Sequence, residues 1–345
     1  MRLYPAGISL PKRRRRRART RLLLAGASGL TVLLAAGCAS NTGGTGGSST
    51  IKIAAVPGIG DAPIYLAQHN GLFAAAGLNV QIVNYRTDAA ELIALQQGQV
   101  DIAASDYGTV FASQEQGNTS DLRILADGYD ATSGGLAVLT MPGSSISSPT
   151  GLEGQAIGVP NYDTLPGIKA GHPISLESAA ANQALFSYLA AGSNTVTWVP
   201  MTQPAELHAL KTGKVKAILV SEPFVYQAES QFGAVQVLDA ASGSTANLPL
   251  YGYVSTEAWV KSHGATVAAF KSALSRAQTQ AAMAGPLQQT LQRTPVGLTK
   301  EQAALVTIGT FPTSTNANDL DRVARIMVGA AMLKSPLDVA SMIVR

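Results

Sequence analysis

IKIAAVPGIGDAPIYLAQHNGLFAAAGLNVQIV, residues 51–83, holds one complete strand, loop, helix and strand. Ile51 to Val56 is a short apolar run that stops at Pro57-Gly58, and Leu78 to Val83 is a second run that starts after Gly77. Apolar runs of this length bounded by turn residues read as strands. Between them Asp61 is placed to cap a helix whose first turn tolerates Pro63, with Ile64, Ala67 and Leu72 along one face and Gly71 and Gly77 as breaks. A strand, helix and parallel strand of this length make a right-handed crossover. Its first loop, which carries Gly60 and Asp61, then opens at the carboxyl end of the sheet, where open α/β folds bind ligands.

The same order of elements recurs along the chain. Thr87-Asp88 opens a helix through Gln97, with Glu91 three residues after Asp88 as in a capping box and Gly98 as the stop. Val100 to Ala104 follows as a strand, ending at Ser105-Asp106-Tyr107. Further on, Gln155 to Val159 reads as a strand, Ser175 caps a helix to about Ala191, and Thr195 to Val199 is the next strand. Thr202 opens a helix to Thr212, and Val215 to Val220 is a strand ending in Ser221-Glu222. Glu91-Leu92-x-Ala94-Leu95-x-x-Gly98-x-Val100 matches Glu206-Leu207-x-Ala209-Leu210-x-x-Gly213-x-Val215, and each copy leads through an apolar strand to Ser-Asp or Ser-Glu. Two α/β domains of one topology are expected. The first takes 51–135 and 250–345, and the second takes 136–249. The chain then crosses between them near Gly134-Gly135 and near Asn247 to Tyr251, a double hinge suited to closure on a ligand. Helices from Glu257 onward are expected to pack on the first domain and to carry no chemistry.

The basic character of the chain, net charge +4, is misleading. Residues 1–37 hold nine basic side chains and no acid, so the remainder carries −5 and gives no support to nucleic-acid binding. Those residues form a basic stretch ending at Arg21, an apolar run from Leu22 to Ala36, and Gly37-Cys38, the pattern of an export signal peptide. Cys38, the only cysteine, excludes an intramolecular disulfide. Leu34-Ala35-Ala36-Gly37-Cys38 resembles a bacterial lipobox, displaced by one residue because the leucine stands four places before the cysteine. An unlipidated secreted protein or a retained signal anchor are the alternatives. Residues 38–50 then make a lipidated Cys38 and a Gly/Ser/Thr-rich flexible tether reaching roughly 20 Å. That arrangement places the domains at the outer face of a cell membrane.

Pro57 with Ala62-Pro63, Gly71-Leu72-Phe73-x-x-x-Gly77-Leu78-x-Val80, Leu95-x-x-Gly98-x-Val100-Asp101, Gly134-Gly135 and Ser221-Glu222-Pro223-Phe224 occur in order. Together they resemble the SsuA/NMT1-like family of ABC-importer solute-binding proteins, the sulfonate, nitrate and thiamine-pyrimidine-precursor binders, over about 51–345. The resemblance implies an α/β, two-domain periplasmic-binding-protein fold of the type II kind. It also implies a monomer that closes on a small-molecule solute, delivers it to ABC permease transmembrane subunits, and uses no cofactor and no metal. The family includes pyrimidine synthases with an active-site histidine and a cysteine-rich motif, and that motif is absent here. His69, His172, His208 and His263 are scattered without a metal-ligand spacing, and neither a nucleophile elbow nor a phosphate-binding glycine loop is present. A non-catalytic role is expected, in transport or in solute sensing, with a pyrimidine-synthase-like enzyme as the least favoured alternative.

The loops expected at the cleft carry Gly60, Asp61, Asp88, Asp106, Asp163 and Glu222, with Asp127 and Asp130 near. Their one cationic side chain is Lys169, in the long insertion from Asn161 to Pro173. An acidic rim favours a cationic amine or a neutral nitrogen heterocycle over an anion. Tyr107, Tyr162, Phe224 and Tyr226 are candidates to stack on a flat ring. Each has a bland counterpart: Asp61 and Asp106 as helix caps, Glu222-Pro223 as a domain-border turn, Tyr107 and Tyr226 as core or hinge packing.

Overall fold

The computed structural model describes residues 50–117, 121–160, 175–190 and 196–345. The strands in chain order are β1 (Thr50–Ala55), β2 (Asn79–Asn84), β3 (Ile102–Asp106), β4 (Leu122–Asp130), β5 (Leu136–Thr140), β6 (Ala156–Pro160), β7 (Thr197–Met201), β8 (Ala217–Ser221), β9 (Val235–Asp239) and β10 (Pro249–Thr256). They build two sheets of identical topology, β2-β1-β3-β10-β4 and β7-β6-β8-β5-β9. In each sheet the first three strands are parallel, and the fourth runs antiparallel to both its neighbours. That fourth strand is the one the chain enters on arriving from the other sheet. After β4 the chain passes to β5, and after β9 it returns to β10.

Central parallel strands are covered on both faces and so read as continuous apolar runs. Ile53, Ala54 and Ala55 of β1 are fully buried, as are Ala217, Ile218, Leu219 and Val220 of β8. The first sheet is covered by α1 (Ala62–His69), α2 (Leu72–Ala75), α3 (Asp88–Gln96) and α4 (Tyr107–Gln116). The second is covered by α5 (Leu176–Phe186), α6 (Gln203–Lys211) and α7 (Phe224–Phe232). The last 89 residues return to the first sheet as α8 (Glu257–Ser262), α9 (Gly264–Ala281), α10 (Ala284–Arg293), α11 (Lys300–Leu305), α12 (Ala317–Gly329) and α13 (Val339–Met342). Helix α9 presents Val267, Phe270, Leu274 and Ala277 to the core. There Phe270 stacks on Phe73 with centroids 6.0 Å apart and meets the edge of Tyr253 at 5.7 Å. Among the described residues no helix is long and apolar enough to cross a membrane.

The expected strands appear within a few residues of their sequence positions, and β1 and β2 pair in parallel from Thr50 with Asn79 to Ala55 with Asn84. The internal repeat also has a structural counterpart. Glu91 of α3 and Glu206 of α6 each stand four residues after a threonine N-cap, Thr87 and Thr202, and each is completely buried. Neither acid caps its helix. The Thr87 hydroxyl accepts the Ala90 N–H at 3.2 Å, so the expected Asp88–Glu91 capping box does not form. Both carboxylate oxygens of Glu91 and of Glu206 lack hydrogen-bond partners. β9 and α7 have no counterpart in the sequence reading. β9 is a short edge strand whose first two residues are exposed, so it lacks the apolar run that marks its neighbours.

Candidate ligand-binding site

A cavity of about 500 Å³ lies where the carboxyl ends of β1 and β8 face each other. The first domain supplies the β1–α1 loop from Val56 to Asp61, Asp88 at the start of α3, and Tyr129 and Ala131. The second supplies Ser221 to Phe224, Gln227, Gln203 and Glu177. Leu250 and Tyr251 enter from the returning strand, and Pro295 to Leu298 with Gln302 close a further side. The C-terminal helices therefore do shape the site, contrary to the expectation that they carry only packing. A second cavity of about 530 Å³ lies between the C-terminal end of α1 and the length of α10, where Arg293 Nη1 is 2.8 Å from His69 Nε2, and it shares only Pro295 with the first.

Of the candidate residues, Gly60, Asp61, Asp88, Glu222 and Phe224 line the cavity. Gly60 is required by close approach: a Cβ there would stand 3.2 Å from the Tyr251 ring and 3.4 Å from Tyr129. Asp61 holds the N-cap position of α1, but its side chain makes no cap hydrogen bond, and it is 3% exposed. Burial pushes its carboxyl well above the usual range. The Asp88 Oδ1 accepts the Asp106 N–H at 3.0 Å. Burial is the largest influence raising the Asp88 carboxyl, followed by the nearby Asp106 carboxylate and, more weakly, by Asp61 and Glu177.

Glu222 faces the cavity with both oxygens already engaged. One accepts the Tyr226 N–H at 3.0 Å, and the other accepts the Thr307 N–H at 2.9 Å. Its carboxylate thereby ties the start of α7 to the C-terminal segment that packs on the first domain.

Asp106 and Tyr107 lie outside the cavity lining. Asp106 caps α4 through the Thr109 N–H at 2.9 Å. Tyr107 is fully buried and donates its hydroxyl to Asp127 Oδ1 at 3.1 Å, leaving no ring face for a ligand. Asp127 and Asp130 are likewise absent from the lining. Tyr226 packs against the core at the start of α7 and does not line the cavity. Tyr162, Asp163, Lys169, His172 and Cys38 lie outside the described residues.

Of the lining residues that were not foreseen, Glu177, Tyr129 and Tyr251 bear most on the chemistry. Glu177, 4% exposed, is the second residue of α5, and burial followed by the Asp106 charge raises its carboxyl to about 7. An acid two residues past the Ser175 cap, on the helix that follows a parallel strand, was the signal available for it. Tyr129 and Tyr251, with ring centroids 6.5 Å apart, form the aromatic wall. Neither carries a local sequence mark of ligand contact; Tyr129 stands near the end of β4 and Tyr251 in β10. Among the described lining residues no lysine, arginine or histidine is present, while Asp61, Asp88, Glu177 and Glu222 are. No described group of histidine, cysteine and acidic side chains is arranged to hold a metal.

Among solved structures, the aliphatic sulphonate-binding protein SsuA of Escherichia coli aligns with a TM-score of 0.67 at 16% identity, over 85% of this chain and 96% of that one. The nitrate-binding protein NrtA of Synechocystis aligns with a TM-score of 0.65 at 13% identity, over 86% and 85%. The ligand-binding component of an ABC-type import system of Staphylococcus aureus, solved with zinc bound, aligns with a TM-score of 0.66 at 13% identity, over 86% and 96%. At these identities the likeness is one of fold, the two-domain α/β fold of periplasmic binding proteins. No curated protein sequence matches the chain. The family model described as NMT1/THI5 like matches residues 60–289, two thirds of the length and most of both sheets, and the chain therefore belongs to the NMT1/THI5-like family.

Proposed function

We propose that the chain is an extracytoplasmic solute-binding lipoprotein of an ABC importer. In this reading Cys38 carries the lipid, and the two domains close on a cationic or neutral nitrogen-containing solute, such as an amine or a pyrimidine-type vitamin precursor, for delivery to a permease. One observation carries the choice of solute: the cavity is lined by Asp61, Asp88 and Glu177 with no cationic side chain among its described lining. With Glu177 ionised above its raised value of about 7, an anion about 4 Å from it meets roughly 4 kcal/mol of repulsion at an effective dielectric near 20. The aromatic wall of Tyr129 and Tyr251 suits a flat or apolar portion of the solute. The family, the fold and the absence of a cysteine-rich motif support binding without catalysis.

A second reading, import of a sulfonate, nitrate or another small organic anion, rests on the sulphonate- and nitrate-binding proteins among the structural neighbours. Thermal-shift measurements on the purified chain at pH 8, above the raised Glu177 value of about 7, separate the two. A solute at a hundred times its dissociation constant stabilises the native state by about 2.7 kcal/mol, which is readily seen. Melting shifts with amines or aminopyrimidines and none with alkanesulfonates or nitrate are expected. Shifts with the anions alone would replace the first reading by the second.

A further inference from the structure

Resting on the cationic reading, we infer that Asp61 holds a proton in the ligand-free chain and gives it up to water when the positive nitrogen of the solute enters, so that the site takes a cation by exchange. The acids of the cavity form one locus. β1 and β3 pair side by side up to Ala55 and Ala104, so the loop that carries Asp61 leaves the sheet beside Asp106. Asp88 Oδ1 accepts the Asp106 N–H at 3.0 Å, and Asp106 caps α4. A Cβ on Gly108, in the first turn of α4, would stand 3.1 Å from Leu176 Cβ, so α5 begins against α4 and Glu177 is its next residue. Asp61, Asp88 and Glu177 are 3%, 2% and 4% exposed, and the described lining holds no cation to offset them. Like charges crowded together away from water do not all ionise, and such a group keeps protons.

Asp61 is the acid on which a proton rests. Glu222, the fourth acid in the lining, has both oxygens engaged by backbone N–H groups, and Asp88 has one. Among the described residues the Asp61 carboxyl has no hydrogen-bond partner, although it stands at the N-cap of α1 and lines the cavity. A buried carboxylate without a donor is costly, and the neutral acid much less so. The groups that surround Asp61 offer no relief: Asp88 and Glu91 of α3, Asp106 ahead of α4, Glu177 of α5, Glu222 ahead of α7, Tyr65 of α1, and Tyr129, Tyr251 and Tyr253 of the strands. The cations on the helices packed against α1 are engaged or distant. Lys271 Nζ donates to the Val344 carbonyl at 2.7 Å, Arg276 is exposed, and Arg293 lies against His69 at the other end of α1. An ammonium group entering the cavity supplies the missing counter-charge. Beside it the ionised form of Asp61 is favoured, and the neutral acid and the charged solute become an ion pair and one proton released to water.

Benzylamine, a cation throughout the range used, tests this on the purified chain and on Asp61→Asn, whose amide has nearly the shape of the neutral acid and whose melting curve establishes that it is folded. Proton release on binding is read with an electrode in unbuffered solution at each unit from pH 5 to pH 8. The excess of wild type over the variant should reach up to about one proton per amine bound, and the ratio of their affinities should climb by up to about tenfold per pH unit. Glu177 and Asp88 are common to both chains and cancel. Without ligand, the wild-type minus Asp61→Asn infrared difference at pH 6 should show the carbonyl band of a neutral carboxylic acid. Absence of that band overturns the inference whatever the amine does. Equal release by the two chains overturns the assignment to Asp61, and release by neither overturns the exchange; the cationic reading stands in both cases. Failure of benzylamine to bind at every pH overturns the exchange, and binding of methanesulfonate in its place overturns the reading beneath it as well.

Discussion

Glu206→Gln should abolish the pH dependence that one buried acid imposes on the second domain. Glu206 is 0% exposed, both its oxygens lack partners, and burial alone raises its carboxyl from 4.5 to about 9. Between those values the folded chain holds a proton that the unfolded chain has released. This contribution to stability is therefore complete below pH 4.5 and declines as pH rises, by about 1.4 kcal/mol per unit until the folded-state value is reached. From pH 4.5 to 7.5 the loss approaches about 4 kcal/mol, with relaxation around the charge lowering it toward about 2. Glutamine has nearly the same shape and no proton to lose. At pH 4.5 the two chains should differ by no more than about 1 kcal/mol, the cost of a buried amide in place of a carboxylic acid. At pH 7.5 the variant should have gained 2 to 4 kcal/mol relative to wild type. Urea unfolding at several pH values reads the difference, with fluorescence of Trp198, buried in β7 of the same sheet, as the local reporter. Every other titrating group is common to both chains and cancels. Stability curves that run parallel from pH 5 to 8 would falsify the assignment of Glu206 as a carboxylic acid held neutral by its surroundings.

The other two predictions concern packing and the tie between domains. Gly252, inside β10, sits where an added Cβ would fall 2.2 Å from the Tyr107 oxygen and 2.4 Å from its Cζ, so Gly252→Ala should cost about 3 kcal/mol in urea unfolding. Adding Tyr107→Phe should recover only part of that, and full recovery would place the clash elsewhere. Glu222→Gln leaves one of two backbone N–H groups without a carboxylate oxygen, a loss of about 1 to 3 kcal/mol, so amide exchange at Thr307 or Tyr226 should quicken by one to two decades. Unchanged exchange at both amides would mean that this carboxylate does not hold the C-terminal segment.

The fold was legible because its signals are local. A central parallel strand buried on both faces leaves an unbroken apolar run, and helix stops such as Gly98 and Gly213 have positive φ, so glycine marks them in the sequence. The match between Glu91 and Glu206 was legible too, but its meaning was not. An acid in a first helical turn reads as a cap, and only the tertiary arrangement shows that Thr87 supplies the cap while Glu91 turns inward. The site was half legible for the same reason. Loops at the carboxyl ends of parallel strands can be named from sequence, which found Gly60, Asp61, Asp88 and Glu222. Whether an acid in such a loop faces a ligand, a helix end or a backbone amide from 85 residues away is settled by packing alone. Tyr129, Tyr251 and Pro295 to Leu298 come from a strand end, a returning strand and an interhelix turn, none of which carries a local mark of ligand contact.

The exchange of fourth strands between the two sheets sets an order of assembly on a chain that is made from one end. All five strands of the second sheet lie within residues 136–239 and are available together. The first sheet needs β10 between β3 and β4, so it stays open until residue 256 has been made, with β3 and β4 waiting for a partner that follows them by more than 100 residues. Contacts so distant along the chain are slow to form. The domain that begins the described chain is thus the last to be completed. Until then β3 and β4 present strand edges of the kind that invite pairing with another chain.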